Sequence, residues 1–185
     1  KCGKINFHER KGEECLEGYV SEILTDLRAK YKEYGIAQEP FVIVKADAGT
    51  YGMGIMTVKD PSEVRGLNRK QRNKMAVVKE GMEVHEVLVQ EGVYSFEAVD
   101  GGVAEPVIYM IDRDVVGAFY RVHPNRGQDQ SLNAPGMQFK QLAFAQPAET
   151  PNRFYAYAVI ARLALVAAAI ELERTAPSAQ DAGAR

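Results

Sequence analysis

The chain has 185 residues, of which 46% are apolar, 23 basic and 25 acidic, for a formal charge of -2. That is enough apolar material to bury the core of one ordinary domain, or of one built from two lobes, and it excludes a chain dominated by disorder. Opposite charges mixed along the sequence argue against general polyanion binding, so nucleic acid is not an expected partner.

The chain opens on Lys1 with no signal-peptide pattern, and without an initiator methionine further sequence upstream is expected. Cys2 and Cys15 lack the spacing of a zinc site or a disulfide framework, so both read as free thiols of a reducing cytosol and the expected location is cytoplasmic. Residues 13–34 place Leu16, Val20, Ile23, Leu27 and Tyr31 on one face at three- and four-residue spacing, which predicts an amphipathic helix ended by Gly35. The extended run FVIVKA follows, then a glycine-rich loop, then a second apolar run, IMTV. Asp60, Pro61 and Glu63 form a helix-start signal, predicting a helix over 61–74 with the basic run 65–74 as its solvated face.

Residues 83–93, EVHEVLVQEGV, read as a strand ending at Gly92, and EPVIYMI and VVGAFYRV flank the charged turn DRD as a hairpin. The middle of the chain is therefore expected to be an antiparallel sheet. Residues 123–139 form a polar loop longer than a simple connection needs. The alanine-rich run 152–174 is expected to be a helix. Its length approaches that of a membrane span, but a central Arg162 would cost roughly 2.5 kcal/mol or more in a bilayer, so it reads as a buried helix of a soluble protein with no membrane partner. Residues 175–185 have the composition of a frayed, disordered tail. Whether the chain forms a homo-oligomer is left open.

Chemistry concentrates first in VKADAGTYGMGIMTV, residues 44–58. A Walker loop places lysine after its glycines and opens a helix; here Lys45 precedes Gly49, Gly52 and Gly54 and a strand follows, so neither that loop nor a dinucleotide fingerprint fits. What remains is a lysine leaving one strand beside a loop whose backbone N–H groups can approach phosphate oxygens closely. The same spacing also suits a surface hairpin with a solvated lysine. In LVQEGV, residues 88–93, Gln90, Glu91 and Val93 can offer backbone groups and an apolar wall to an adenine, or simply mark a strand end. Glu105, Arg121 and Asn133 lie at strand ends or in the polar loop; carboxylate and amide oxygens suit Mg2+ and arginine suits a phosphoryl group, and each equally suits a surface position. His8, His85 and His123 are too scattered for a metal cluster, and no Ser or Cys sits in a nucleophile elbow.

Taken in order, these elements resemble the ATP-grasp fold. The stretches KCGKINFHERKGEECL, KYKEYGI, PFVIVKADAGTYGMGIM, VQEGV and GAFYRVHPNRGQDQSLNAPGMQF are similar to the ATP-grasp type of bacterial glutamate-cysteine ligase. The resemblance implies an α+β fold with antiparallel sheets and packed helices around an ATP-binding cleft, occupying residues 1–174. It implies a reaction in which the side-chain carboxylate of glutamate is phosphorylated by ATP and the acyl phosphate is attacked by the amine of cysteine, giving gamma-glutamylcysteine, the first step towards glutathione. It assigns ATP and Mg2+ as cofactors and glutamate, cysteine and ATP as small-molecule partners.

By the same resemblance, Lys45 contacts the ATP phosphates, and Gly49, Gly52 and Gly54 belong to the loop folding over them, with Tyr51 and Met53 as covers. Gln90, Glu91 and Val93 form the adenine hinge, Arg121 and Asn133 face the transferred phosphoryl group, and Lys4 corresponds to a second phosphate-contacting lysine. Glu105 and Asn133 are the Mg2+ ligands assigned here, because no E-x-N pattern follows residue 133, and Glu171 and Glu173 fall on a predicted helix. Family members are expected to carry an additional N-terminal region, so the chain is expected to be a C-terminal portion. Two alternatives stand beside this reading: a ligase joining another carboxylate and amine, and a non-catalytic nucleotide-binding module.

Overall fold

A computed structural model describes residues 4–47, 54–76, 81–142 and 153–176. The first helix, α1 (Glu13–Glu33), turns Leu16, Val20, Leu24 and Leu27 inward, with acidic residues in its first turn and Lys30 and Lys32 in its last, both favourable to the helix dipole. Its buried stripe centres on Leu24, which the expected face omitted, whereas Tyr31 is only half-buried. Gly35 adopts the expected left-handed conformation at φ 66°, where a side chain would be strained.

Helix α1 lies on a three-stranded antiparallel sheet in which β1 (Val42–Ala46) is flanked by β2 (Ile55–Val58) and β3 (Val87–Glu91). Strand alternation points Val42, Val44 and Ala46 into the core with α1, and leaves Ile43 and Lys45 on the opposite face. Burying each of the two valines is worth about 1.5–3 kcal/mol. Strand β3 is shorter than the expected 83–93.

The helix expected over 61–74 is two helices, α2 (Ser62–Arg65) and α3 (Arg69–Ala76). Glu63 accepts a hydrogen bond from the Asp60 N–H at 2.8 Å, as the start signal implied. A second reciprocal pair, Asn68 N–H to Gln71 Oε1 at 2.8 Å and Gln71 N–H to Asn68 Oδ1 at 2.9 Å, begins a new helix after Gly66. The break turns Val64, Leu67 and Met75 all into the same core.

A second antiparallel sheet runs β4 (Glu97–Val99), β5 (Gly102–Ile111), β6 (Asp114–His123) and β7 (Gln138–Gln141), in that spatial order. The hairpin of β5 and β6 matches the sequence pattern and turns at Asp112 and Arg113, with Asp112 at φ 52°. The short β4 and β7 have no periodic signature of their own and exist through pairing with this hairpin. On one face, Ala104, Tyr120 and Val122 pack with Leu142 and with Phe154 and Tyr157 of α4 (Arg153–Thr175). The described residues thus hold two separate cores.

Two expectations are corrected. Helix α4 forms where predicted, but beyond Ala158 its apolar side chains are largely exposed, so composition alone did not make it a buried helix. Cys15 is disulfide-bonded, not a free thiol, which removes the compartment argument that rested on it.

Candidate functional site

Backbone pairing sets the chemistry of the first sheet. Lys45 stands opposite Ile55 on one side and Leu88 on the other, and Ile43 stands between Thr57 and Gln90. Paired residues share a face, so Lys45, Thr57 and Gln90 all lie on the face turned away from α1. At the loop end of this face the Ala46 N–H donates to the Gly54 carbonyl at 2.9 Å, and Gly54 takes a left-handed φ of 61°. Gly49, Tyr51, Gly52 and Met53 lie outside the described residues.

The other end of the face is built on a close contact that sequence reasoning missed. The Gly92 N–H donates to the Phe41 carbonyl at 2.8 Å, and a Cβ on Gly92 would lie 2.0 Å from the Phe41 ring. Tyr94 packs edge-on against that ring at 4.9 Å between centroids and donates its hydroxyl to the Glu39 carbonyl at 2.7 Å. Tyr31 closes the group, its phenol pushed above the usual range by burial and then by the nearby Glu91 and Tyr94. This brace holds Val93 out, 77% exposed, as an apolar surface beside Gln90 and Glu91 on the edge strand β3. An edge strand keeps backbone donors and acceptors free on one side.

On the second sheet, Glu105 and Arg121 are cross-strand partners, joined by a 2.6 Å hydrogen-bonded ion pair on the face opposite α4. Arg121 keeps one donor unspent: its Nε is buried and has no acceptor among the described residues. A guanidinium held by one carboxylate with a donor to spare suits a second, anionic ligand.

Between these sheets the polar loop bridges back to the first. The Thr57 hydroxyl donates to the Asp129 carbonyl at 3.0 Å, Lys59 and Asp129 pair at 2.7 Å, and the Ser95 N–H donates to the Gln128 carbonyl at 2.8 Å. His123 ties the loop's far end through a 3.0 Å contact between Nε2 and the Pro135 carbonyl. The loop, β2 and the α2–α3 pair enclose a cavity of about 670 Å³ whose lining includes Lys74, Arg126, Gln130 and Asn133. Of the residues expected from sequence, Asn133 alone lines it; Lys45, Gln90 and Glu91 belong to the first sheet, Val93 lies just past the end of its edge strand, and Glu105 and Arg121 share the second sheet.

The Lys59–Asp129 clasp is sensitive to pH. Its hydrogen bond to Lys59 holds the Asp129 carboxyl below the usual range, and the same bond raises Lys59. The Asp129 contribution is thus present above about pH 4 and lost as pH falls through its lowered folded value, while that of Lys59 is lost as pH rises through its raised one. Both side chains are partly exposed, so a Lys59→Met, Asp129→Asn double-mutant cycle in urea should give a coupling of about 1 kcal/mol or less at pH 7. That coupling should shrink in about 1 M salt; one indifferent to salt would contradict an electrostatic clasp.

Among the described residues no three of His, Cys, Asp and Glu converge as a metal site, and the Glu105 carboxylate is engaged by Arg121. These donors do not by themselves build a Mg2+ cage.

A family profile described as GshA, glutamate-cysteine ligase, matches residues 1–172. A crystal structure from Methylobacillus flagellatus KT, of a protein provisionally named gamma-glutamylcysteine synthetase, is 59% identical with a TM-score of 0.74, covering 94% of this chain and 43% of that one. The chain thus spans less than half the length of that protein. No curated protein matches the chain.

Proposed function

The chain belongs to the glutamate-cysteine ligase family, and from that premise we propose that it forms the ATP-binding part of an ATP-grasp-like ligase joining the side-chain carboxylate of glutamate to the amine of cysteine. The observation that carries the reading is the shared open face of the first sheet, with Lys45 and Gly54 at the loop end and the Gly92-braced hinge at the other. A nucleotide laid along it meets backbone groups and Val93 at its base and an ammonium at its phosphates.

The glutamate carboxylate attacks the γ-phosphorus, ADP leaves, and the cysteine amine then attacks the acyl carbonyl, expelling phosphate and losing a proton. No protein nucleophile is required. What the chain contributes is positioning and charge neutralisation: Lys45 screens the triphosphate, and the spare Nε donor of Arg121 meets charge developing on the transferred group. Mg2+ would supply further charge neutralisation at the triphosphate, but Glu105 is held by Arg121 and Asn133 lies in the loop cavity, so the two do not form a site for it by themselves. A cytoplasmic location accords with a reaction fed by ATP.

Mixing the protein with ATP, Mg2+, glutamate and cysteine should give ADP and gamma-glutamylcysteine in equal amounts. Equal ADP release with other amines in place of cysteine would identify a ligase of different acceptor. Stabilisation by an ATP analogue with no turnover under any amine would leave the non-catalytic module, the reading that the missing E-x-N pattern favours.

A further inference from the structure

Helix α4 carries more apolar surface than its own chain covers. Its first turns are docked: Phe154 and Ala158 are buried, Tyr157 donates its hydroxyl to Glu97, and the Arg162 Nε donates to the Arg113 carbonyl at 3.1 Å. Beyond them Leu163 is 63% exposed, Val166 57% and Leu172 72%. At about 100° per residue, Val159, Leu163, Val166 and Ile170 form one stripe, while Leu165 and Leu172 continue the roughly opposite line of Phe154 and Ala158. The helix is bare on two sides.

Three occupants can be weighed. By length and composition the helix could cross a membrane. Yet its first turns are held on the sheet, the part beyond Ala158 is about 25 Å long against roughly 30 Å of hydrocarbon, and it contains Arg162, Glu171, Glu173 and Arg174. A second copy pairing along one stripe would leave the other bare, and one stripe of this length offers far less than the roughly 800 Å² per partner of a standard interface. The third occupant is larger. The same region, at 59% identity, sits in a protein of which it makes up only 43%.

We propose that α4 is an internal docking helix of the family polypeptide, wrapped on both stripes by the region that the Methylobacillus flagellatus protein carries outside its match to this chain. Ala164, Ala167, Ala168 and Ala169 between the larger side chains let that region's backbone approach closely. This inference rests on family membership and packing and does not depend on the proposed reaction.

The test compares hydroxyl-radical labelling of Leu163, Val166 and Ile170 in the free chain with labelling in a graft, in which this chain replaces the matched region of the relative. The graft should lose labelling at all three positions, and Leu163→Glu with Val166→Glu should restore it at the remaining Ile170 and lower the graft's Tm, while the free chain keeps its circular-dichroism spectrum with the same pair. The unaltered relative, labelled at the aligned positions, provides a second measurement should the graft fail to fold; it too should be protected there. Equal labelling in free chain and relative overturns the proposal. So does protection of the free chain that grows with concentration, which would assign the helix to a second copy, or protection only on phosphatidylcholine–phosphatidylglycerol vesicles, which would assign it to a membrane.

Discussion

Lys45→Ala is expected to remove about half or more of the thermal stabilisation conferred by a non-hydrolysable ATP analogue while leaving the unliganded protein nearly unchanged. Lys45 is half-buried on the open face, so truncating it disturbs little core, and a substitution of this kind costs about 0.5 kcal/mol or less. The liganded state is different. A charge-assisted contact to phosphate is worth about 1.5–3 kcal/mol, which weakens binding roughly 10- to 150-fold. At a concentration 100 times the parent dissociation constant the analogue stabilises the parent by about 2.7 kcal/mol, and the variant would retain at most about 1.4 kcal/mol of that. Arg121→Ala should behave in the complementary way, keeping most of the analogue's stabilisation and losing about 10²–10³ in ADP formation, because a donor that acts on developing charge shows in turnover more than in ground-state binding. An undiminished shift in Lys45→Ala would falsify the phosphate role of the glycine-loop face.

Gly92→Ala is expected to lower stability by about 1–3 kcal/mol, a loss of roughly 2–12 °C in Tm for a chain of this size. The reason is space. The added methyl would sit 2.0 Å from the Phe41 ring, which is 1% exposed and cannot swing aside because Tyr94 stands edge-on against it. Pairing the change with Phe41→Leu should recover part of the loss, since a smaller side chain makes room; the two effects are then non-additive, as expected of residues in contact. If Gly92→Ala melts at the parent temperature, the hinge is not sterically locked and Val93 has no fixed position to offer an adenine. Because the clash lies under the hinge, the variant's affinity for the ATP analogue should fall along with its stability.

Much of this arrangement was legible locally. The three- and four-residue spacing of Leu16, Val20 and Leu27, the alternation through Val42, Val44 and Ala46, and the turn signal at Asp112 each express a period or a dihedral preference carried by adjacent residues. The split of the 61–74 helix was written in the sequence too, in the reciprocal pair of Asn68 and Gln71, but the stronger signal at Asp60 and Glu63 masked it. Nothing local announces that Gly92 lies against Phe41, fifty-one positions earlier, or that Asp129 returns to Lys59 and Thr57.

The sequence by itself determined the family, the order of strand, glycine loop, strand and hairpin, and the residue types available for nucleotide chemistry, because each is a matter of local pattern and wording. Only the tertiary structure decided how those residues group: Lys45 and Gln90 on one open face, Arg121 bound to Glu105 on another sheet, and Asn133 in a cavity closed by the Lys59–Asp129 clasp. It also decided that α4, apolar enough to be core, is largely uncovered in this chain. The physical reason is common to all of these: hydrophobic periodicity records which residues favour burial, whereas what buries or pairs them is chosen by segments far away in the chain.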